Sequence, residues 1–95
     1  MLFSWDAKKA ESNIKKHHVS FEMAQTVFDD PLHLSVLDKK SGDQERWITM
    51  GHTPHGKTLI VVHTYIEITN GEELIRIISA RLATRREIEQ YEKGI

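Results

Sequence analysis

Leu59-Ile60-Val61-Val62, then Asn70-Gly71, then Arg76-Ile77-Ile78-Ser79-Ala80-Arg81 follow one another in the second half of this chain. The first run is apolar on successive residues, which points to a central strand covered on both faces over part of its length. Asn-Gly is a hairpin dipeptide, so residues 57–66 and 72–81 read as antiparallel neighbours. Thr84, followed three residues later by Glu87, reads as a capping box that opens a helix over residues 85–93.

Working outward from that hairpin, residues 33–37 and 45–50 read as two more strands. A polar turn over 38–43 containing Gly42 joins them, and a second turn over 51–56 leads into the central strand. Before them the pattern is helical. Met1-Leu2-Phe3-Ser4-Trp5 suits a short first strand, and Asp6 is the expected N-cap of a helix from Ala7 to about His17. Its apolar stripe, Ala10, Ile14 and His17, is thin, as on a surface-lying helix. Ser20 caps a second helix whose buried face is Phe21, Ala24, Val27 and Phe28. Asp29-Asp30-Pro31 ends it, because a residue before proline is pushed out of the helical region. Strand, two helices, an antiparallel meander of about four strands and a last helix make an α+β fold.

Ninety-five residues are enough for one compact domain, 1–95, and not for two. No apolar run is long enough for a signal peptide or a membrane span, so the expected place of the protein is the cytoplasm. The chain has no cysteine, which excludes disulfides, a thiol nucleophile and the common structural zinc sites. Its six histidines do not repair the metal case. His17 and His18 are adjacent and diverge, and His52-x-x-His55 lies in a turn with Pro54, so neither pair is a helical ligand pair. His33 and His63 fall in expected strands and read as hydrogen-bonded, partly buried histidines. No metal and no cofactor is expected.

The net charge of −1 is unevenly spread: residues 1–20 carry +2, residues 21–75 carry −5 and residues 76–95 carry +2. If the termini meet, one face is basic on a chain whose middle is acidic. Four arginines, Arg76, Arg81, Arg85 and Arg86, straddle the expected strand-to-helix corner. Guanidinium forks beside a helix N-terminus favour an anion such as an RNA phosphate. Equally, they can solubilise the surface and pair with carboxylates of the final helix.

Taken together the chain resembles the BrnT family of bacterial type II toxin–antitoxin toxins. The resemblance runs through Phe3-x-Trp5-Asp6-x-x-Lys9 and Asn13 to Lys16-His17, then Phe21, Ala24, Phe28 and Asp30-Pro31. It continues with Glu45-Arg46-Trp47 and Gly51, and ends on residues 76–81 with Ala83-Thr84, Glu87 and Tyr91. It implies a RelE-like fold, a ribonuclease activity that arrests growth, and neutralisation by a cognate DNA-binding antitoxin. Operator DNA is then met only through the antitoxin. Two features depart from the family pattern: His18 stands where glycine is common, and the loop over 67–73 is longer than the minimum.

RNA cleavage without a metal needs a base for the ribose 2′-hydroxyl, cations for charge developing on the phosphorus oxygens, and an acid for the leaving oxygen. His17 is the first candidate base and Glu45 the second. Lys16, Arg46, Arg76 and Arg81 are candidate phosphate clamps, with Arg85 at the helix start. In a regular strand Arg76 and Arg81 point to opposite faces, so Arg81 is the preferred catalytic arginine unless a bulge intervenes. By the same alternation Glu45 and Arg46 face oppositely. Tyr91 can stack on a base, or, as the more ordinary role, pack with Ile88 as a core aromatic. A second reading of the whole is a non-catalytic nucleic-acid or protein-binding module on the same scaffold.

Overall fold

The structure is a computed structural model that describes residues 1–40, 42 and 44–93. Its elements are β1 (Leu2–Ser4), α1 (Ala7–His17), α2 (Phe21–Gln25), a 3₁₀ turn (Thr26–Asp29), β2 (Leu34–Leu37), β3 (Trp47–His52), β4 (Thr58–Glu67), β5 (Glu73–Leu82) and α3 (Arg85–Glu92). The five strands form one sheet in the order β1-β5-β4-β3-β2. From β2 to β5 it is the expected antiparallel meander. The sheet as a whole is mixed, because β1 adds itself parallel to β5, with Leu2 opposite Leu74 and Ser4 opposite Arg76. α1 and α2 carry the chain from β1 to β2 at the opposite edge of the sheet, and the meander then returns strand by strand to β5 beside β1.

The local chemistry of each boundary is visible. Asp6 caps α1 by accepting from Lys8 N–H at 2.8 Å. His18 ends the helix in the left-handed region, φ 59°, with its N–H on the Ile14 carbonyl. Ser20 caps α2 through Met23 N–H. The second helix is shorter than its pattern suggests, because after Gln25 the chain tightens into the 3₁₀ turn. Phe21, Ala24 and Val27 recur every three residues, a spacing that a tightened helix also keeps on one side, and all three are fully buried. β3 starts at Trp47 and not at residue 45, although Asp38 N–H still donates to the Arg46 carbonyl. The expected turn over 38–43 includes residues 41 and 43, which lie outside the described residues. In the loop between β4 and β5, Asn70 and Gly71 both have positive φ and Glu72 N–H closes on the Thr69 carbonyl, the hairpin turn that Asn-Gly favours.

One face of the sheet is covered by the helices. Val19, Phe21, Ala24 and Val27 meet Leu59, Val61, Ile75, Ile77 and Ala80 there, with Trp5 packed edge-on against Phe21. At Gly51 the helical layer comes so close that a Cβ would lie 2.9 Å from Val27 Cγ1. β4 is buried on both faces at Leu59, Ile60 and Val61, as its apolar run requires.

Candidate functional site

Strand β5 organises the region. Val62 lies opposite Ser79 but His63 lies opposite Ile77, so Ile78 is an extra, unpaired residue: a β-bulge. The buried series runs Ile75, Ile77, then Ala80, and the outward series runs Arg76, then Ser79 and Arg81. Arg76 pairs across with Thr64 and Arg81 with Ile60, both on the face away from the helices. The two arginines therefore share a face, where strict alternation separates them. Their Cα atoms are on the order of 15 Å apart along the strand, too far to grip one phosphate and suited to flanking one.

β1 pairs only with the start of β5, which leaves the edge beyond Arg76 without a neighbouring strand. Asn13 of α1 substitutes for one. Its amide donates to the Ala80 carbonyl (2.8 Å) and the Val19 carbonyl (2.9 Å), and its oxygen accepts from Ala80 N–H (3.1 Å). Asn13 is 6% exposed and its amide is engaged in these three bonds, so its role here is structural. By pinning α1 to the sheet edge it brings Lys9, Ser12, Lys16 and His17 against Ile78 and Ser79, where they line a groove of ≈ 150 Å³. His17 and Lys16 thus stand beside the bulge, between the levels of Arg76 and Arg81.

Arg81 is already engaged. Its guanidinium forms a bidentate pair with Glu87, both N–O distances being 2.9 Å. The same carboxylate accepts from Thr84 N–H at 2.8 Å, completing the capping box of α3. The Arg81 fork together with this N–H holds Glu87 down to a pKa of about 2, and the pair raises that of Arg81 in turn. The anion expected at this corner is thus the protein's own carboxylate. Arg85, the first residue of α3, is exposed next to it.

Glu45, Arg46 and Tyr91 are not brought to this groove. Glu45 and Arg46 are exposed ahead of β3, two strands away from β5, so Glu45 does not meet His17 or Arg81. Arg76 has no ion-pair partner among the described residues. Tyr91 is turned inward, 7% exposed, with its hydroxyl donating to Asp30 and its ring edge-on to His52 at 4.7 Å. It is a packing residue and offers no face to a base. Burial and the Asp30 hydrogen bond raise its pKa to about 12. Burial works against the Asp30 carboxylate, but donation from His52 N–H, Tyr91 and Leu32 N–H outweighs it and keeps that pKa below the ordinary value.

Sequence reasoning missed Ser79 as a groove residue, and passed over Lys9 as one of several surface lysines. The signal for the first was present: Ile77-Ile78 doubles an apolar residue where alternation requires one.

What these elements define is a small α+β protein with a basic groove on the free edge of a mixed sheet. The chain belongs to the family described as "Ribonuclease toxin, BrnT, of type II toxin-antitoxin system", whose model matches residues 5–87. Among solved structures it is similar to the Brucella abortus ribonuclease toxin BrnT, with a TM-score of 0.60 and 19% identity over 90% of this chain and 100% of that one. At that identity the likeness speaks for the fold. No curated protein matches the sequence.

Proposed function

We propose that this protein is a metal-independent endoribonuclease of RelE-like fold, with its cleavage site at the groove between α1 and the β5 bulge. The observation that carries the reading is the convergence of Lys9, Lys16 and His17 on Ser79, on a strand that presents Arg76 and Arg81 on one face. An RNA strand laid along β5 meets an arginine on each side of this point. His17 takes the proton from a ribose 2′-hydroxyl, and the 2′-oxygen attacks phosphorus to form a 2′,3′-cyclic phosphate. The P–O5′ bond breaks and the 5′-oxygen takes up a proton. Lys16 and Arg81 stabilise the charge gathered on the non-bridging oxygens, and Arg76 and Arg85 hold the neighbouring phosphates. Uncontrolled, such cleavage in the cytoplasm arrests growth. Neutralisation falls to a cognate antitoxin, which also carries the complex to operator DNA.

The non-catalytic reading has one observation in its favour, the capture of Arg81 by Glu87. Cleavage of an end-labelled RNA in EDTA separates the two. Wild-type protein is compared with His17→Ala and Lys16→Ala variants of unchanged melting temperature. Cleavage lost in the variants supports the enzyme, and cleavage equal in all three assigns it to a contaminant. RNA binding without cleavage by the wild type supports the binding module.

A further inference from the structure

The helices cover the sheet only in part. Past Phe28 the same face opens into a cavity of ≈ 230 Å³, lined by Phe28, His33, Trp47, Tyr65, Glu73 and Ile75 among others. Three aromatic side chains wall it. Register explains the set: Trp47 lies opposite His63, Tyr65 opposite Ile75, and Glu67 opposite Glu73, so all of these project to one side.

The lining of the cavity has one carboxylate, Glu73, and Met1 stands with it. Glu67 and Glu73 are directly cross-strand, an arrangement that costs stability unless something positive lies between them. Neither has a cationic partner among the described residues, while the adjacent Glu72 is taken by the Met1 ammonium at 3.0 Å. Glu73 is half-buried. It also acts on Tyr65, whose hydroxyl it holds in the neutral form, with Glu67 adding to the effect.

Aromatic walls below a carboxylate pair select a cation with a flat, weakly hydrated face, which is the guanidinium of arginine. The carboxylate pair repels phosphate, and this separates the cavity from the basic groove, which suits RNA. The floor suits a side chain entering from another protein. There Ser35, Thr49 and His63 bond one another in a chain, Oγ to Oγ1 at 2.6 Å and Oγ1 to Nε2 at 2.6 Å, so the polar groups beneath are already satisfied. We propose that this cavity is a socket for an arginine side chain presented by a protein partner. If the reading as a toxin is right, that partner is the antitoxin, and the socket holds it without touching the cleavage groove. The socket itself does not depend on catalysis.

The test uses the whole protein and Nα-acetyl-arginine-N-methylamide as probe, followed by the indole and amide resonances in ¹H–¹⁵N spectra, with Trp5 as the internal reference. A saturable shift of the Trp47 indole and the Glu73 amide is expected in the millimolar range. It should weaken at least fivefold in Glu73→Gln and between 20 and 500 mM salt, on the order of what loss of one partly exposed charge contact gives. The norleucine analogue should give no saturation. Equal shifts from norleucine, no saturation by the arginine derivative, or tighter binding of guanosine than of arginine each overturn the proposal. The salt series stands if the variant misfolds. RNA cleavage by Glu73→Gln is expected to match wild type, so loss of the socket and loss of the ribonuclease reading are distinguishable.

Discussion

Replacing Asn13 with alanine removes one side chain and strands three backbone groups. The Val19 carbonyl, the Ala80 carbonyl and Ala80 N–H all lose their partner, at a place where the side chain is 6% exposed and water has little access. Each buried polar group left unpaired costs about 1–3 kcal/mol. Carbonyls tolerate this better than N–H groups, so the lower part of the range applies and the expected total is about 3–4 kcal/mol. Against a typical 5–15 kcal/mol for a whole protein this is a large fraction. At roughly 4–8 °C per kcal/mol for a chain of this size, the melting temperature should fall by at least 12 °C. Urea unfolding followed by tryptophan fluorescence gives the free energy and the slope together. A second substitution sharpens the result. In Asn13→Asp the introduced carboxylate faces two carbonyls, so it should be worse than alanine at neutral pH and should recover as acid protonates it. A loss below about 1 kcal/mol for Asn13→Ala, with the denaturant slope unchanged, would refute the role given to this amide.

Four further outcomes are expected. His63 is 3% exposed and burial lowers its folded pKa below the ordinary 6.5, so its contribution is intact above that value and lost as pH falls through the folded pKa; His63→Gln should flatten this limb of the pH–stability curve. Glu87 is depressed from 4.5 to about 2, so its pairing stabilises above pH 4.5 and fades between there and pH 2, a dependence that Glu87→Gln should abolish in acid titration followed by circular dichroism. His18→Gly relieves a left-handed residue and should raise stability by about 1 kcal/mol in denaturant melts. Gly51→Ala forces a methyl against Val27, the His33 Cβ at 3.1 Å and Asp30 Oδ2 at 3.2 Å, and should cost about 1–3 kcal/mol by the same measurement.

Most of the element order could be read from the sequence because it is written in local periods. Leu59 to Val62 marks the buried strand, Asn70-Gly71 its turn, and Thr84 with Glu87 the start of α3. What could not be read depends on partners distant in the chain. Nothing in Leu2-Phe3-Ser4 says that it will lie parallel to β5, since that pairing is made only once the helices have crossed the sheet and the meander has returned. The place of Asn13 follows from the same cause: only when β1 stops short at Arg76 does β5 have an edge in need of an amide. At the candidate site, His17, Lys16, Arg76 and Arg81 were singled out from residue type, and the relation of the two arginines hung on a bulge, which is a property of two strands together. Tyr91 was open to two roles until Asp30 and His52 came within reach, and Glu45 depended on a strand start that lies two residues later.

The unpaired Ile78 has a consequence for how this segment can change over generations. It acts as a phase shift in an otherwise two-beat pattern, so the facing of everything after it depends on a count. Substitutions at Ile78 leave that count intact and are open to many residue types. A one-residue deletion between Arg76 and Arg81 is absorbed at the bulge: it takes out the extra residue, restores the beat, and leaves Arg81 facing outward with Arg76 and Ala80 inward, whereas closing the bulge at constant length would turn Arg81 toward the helices. Drift here can therefore reach the length of the strand by this one residue as well as the identity of its residues.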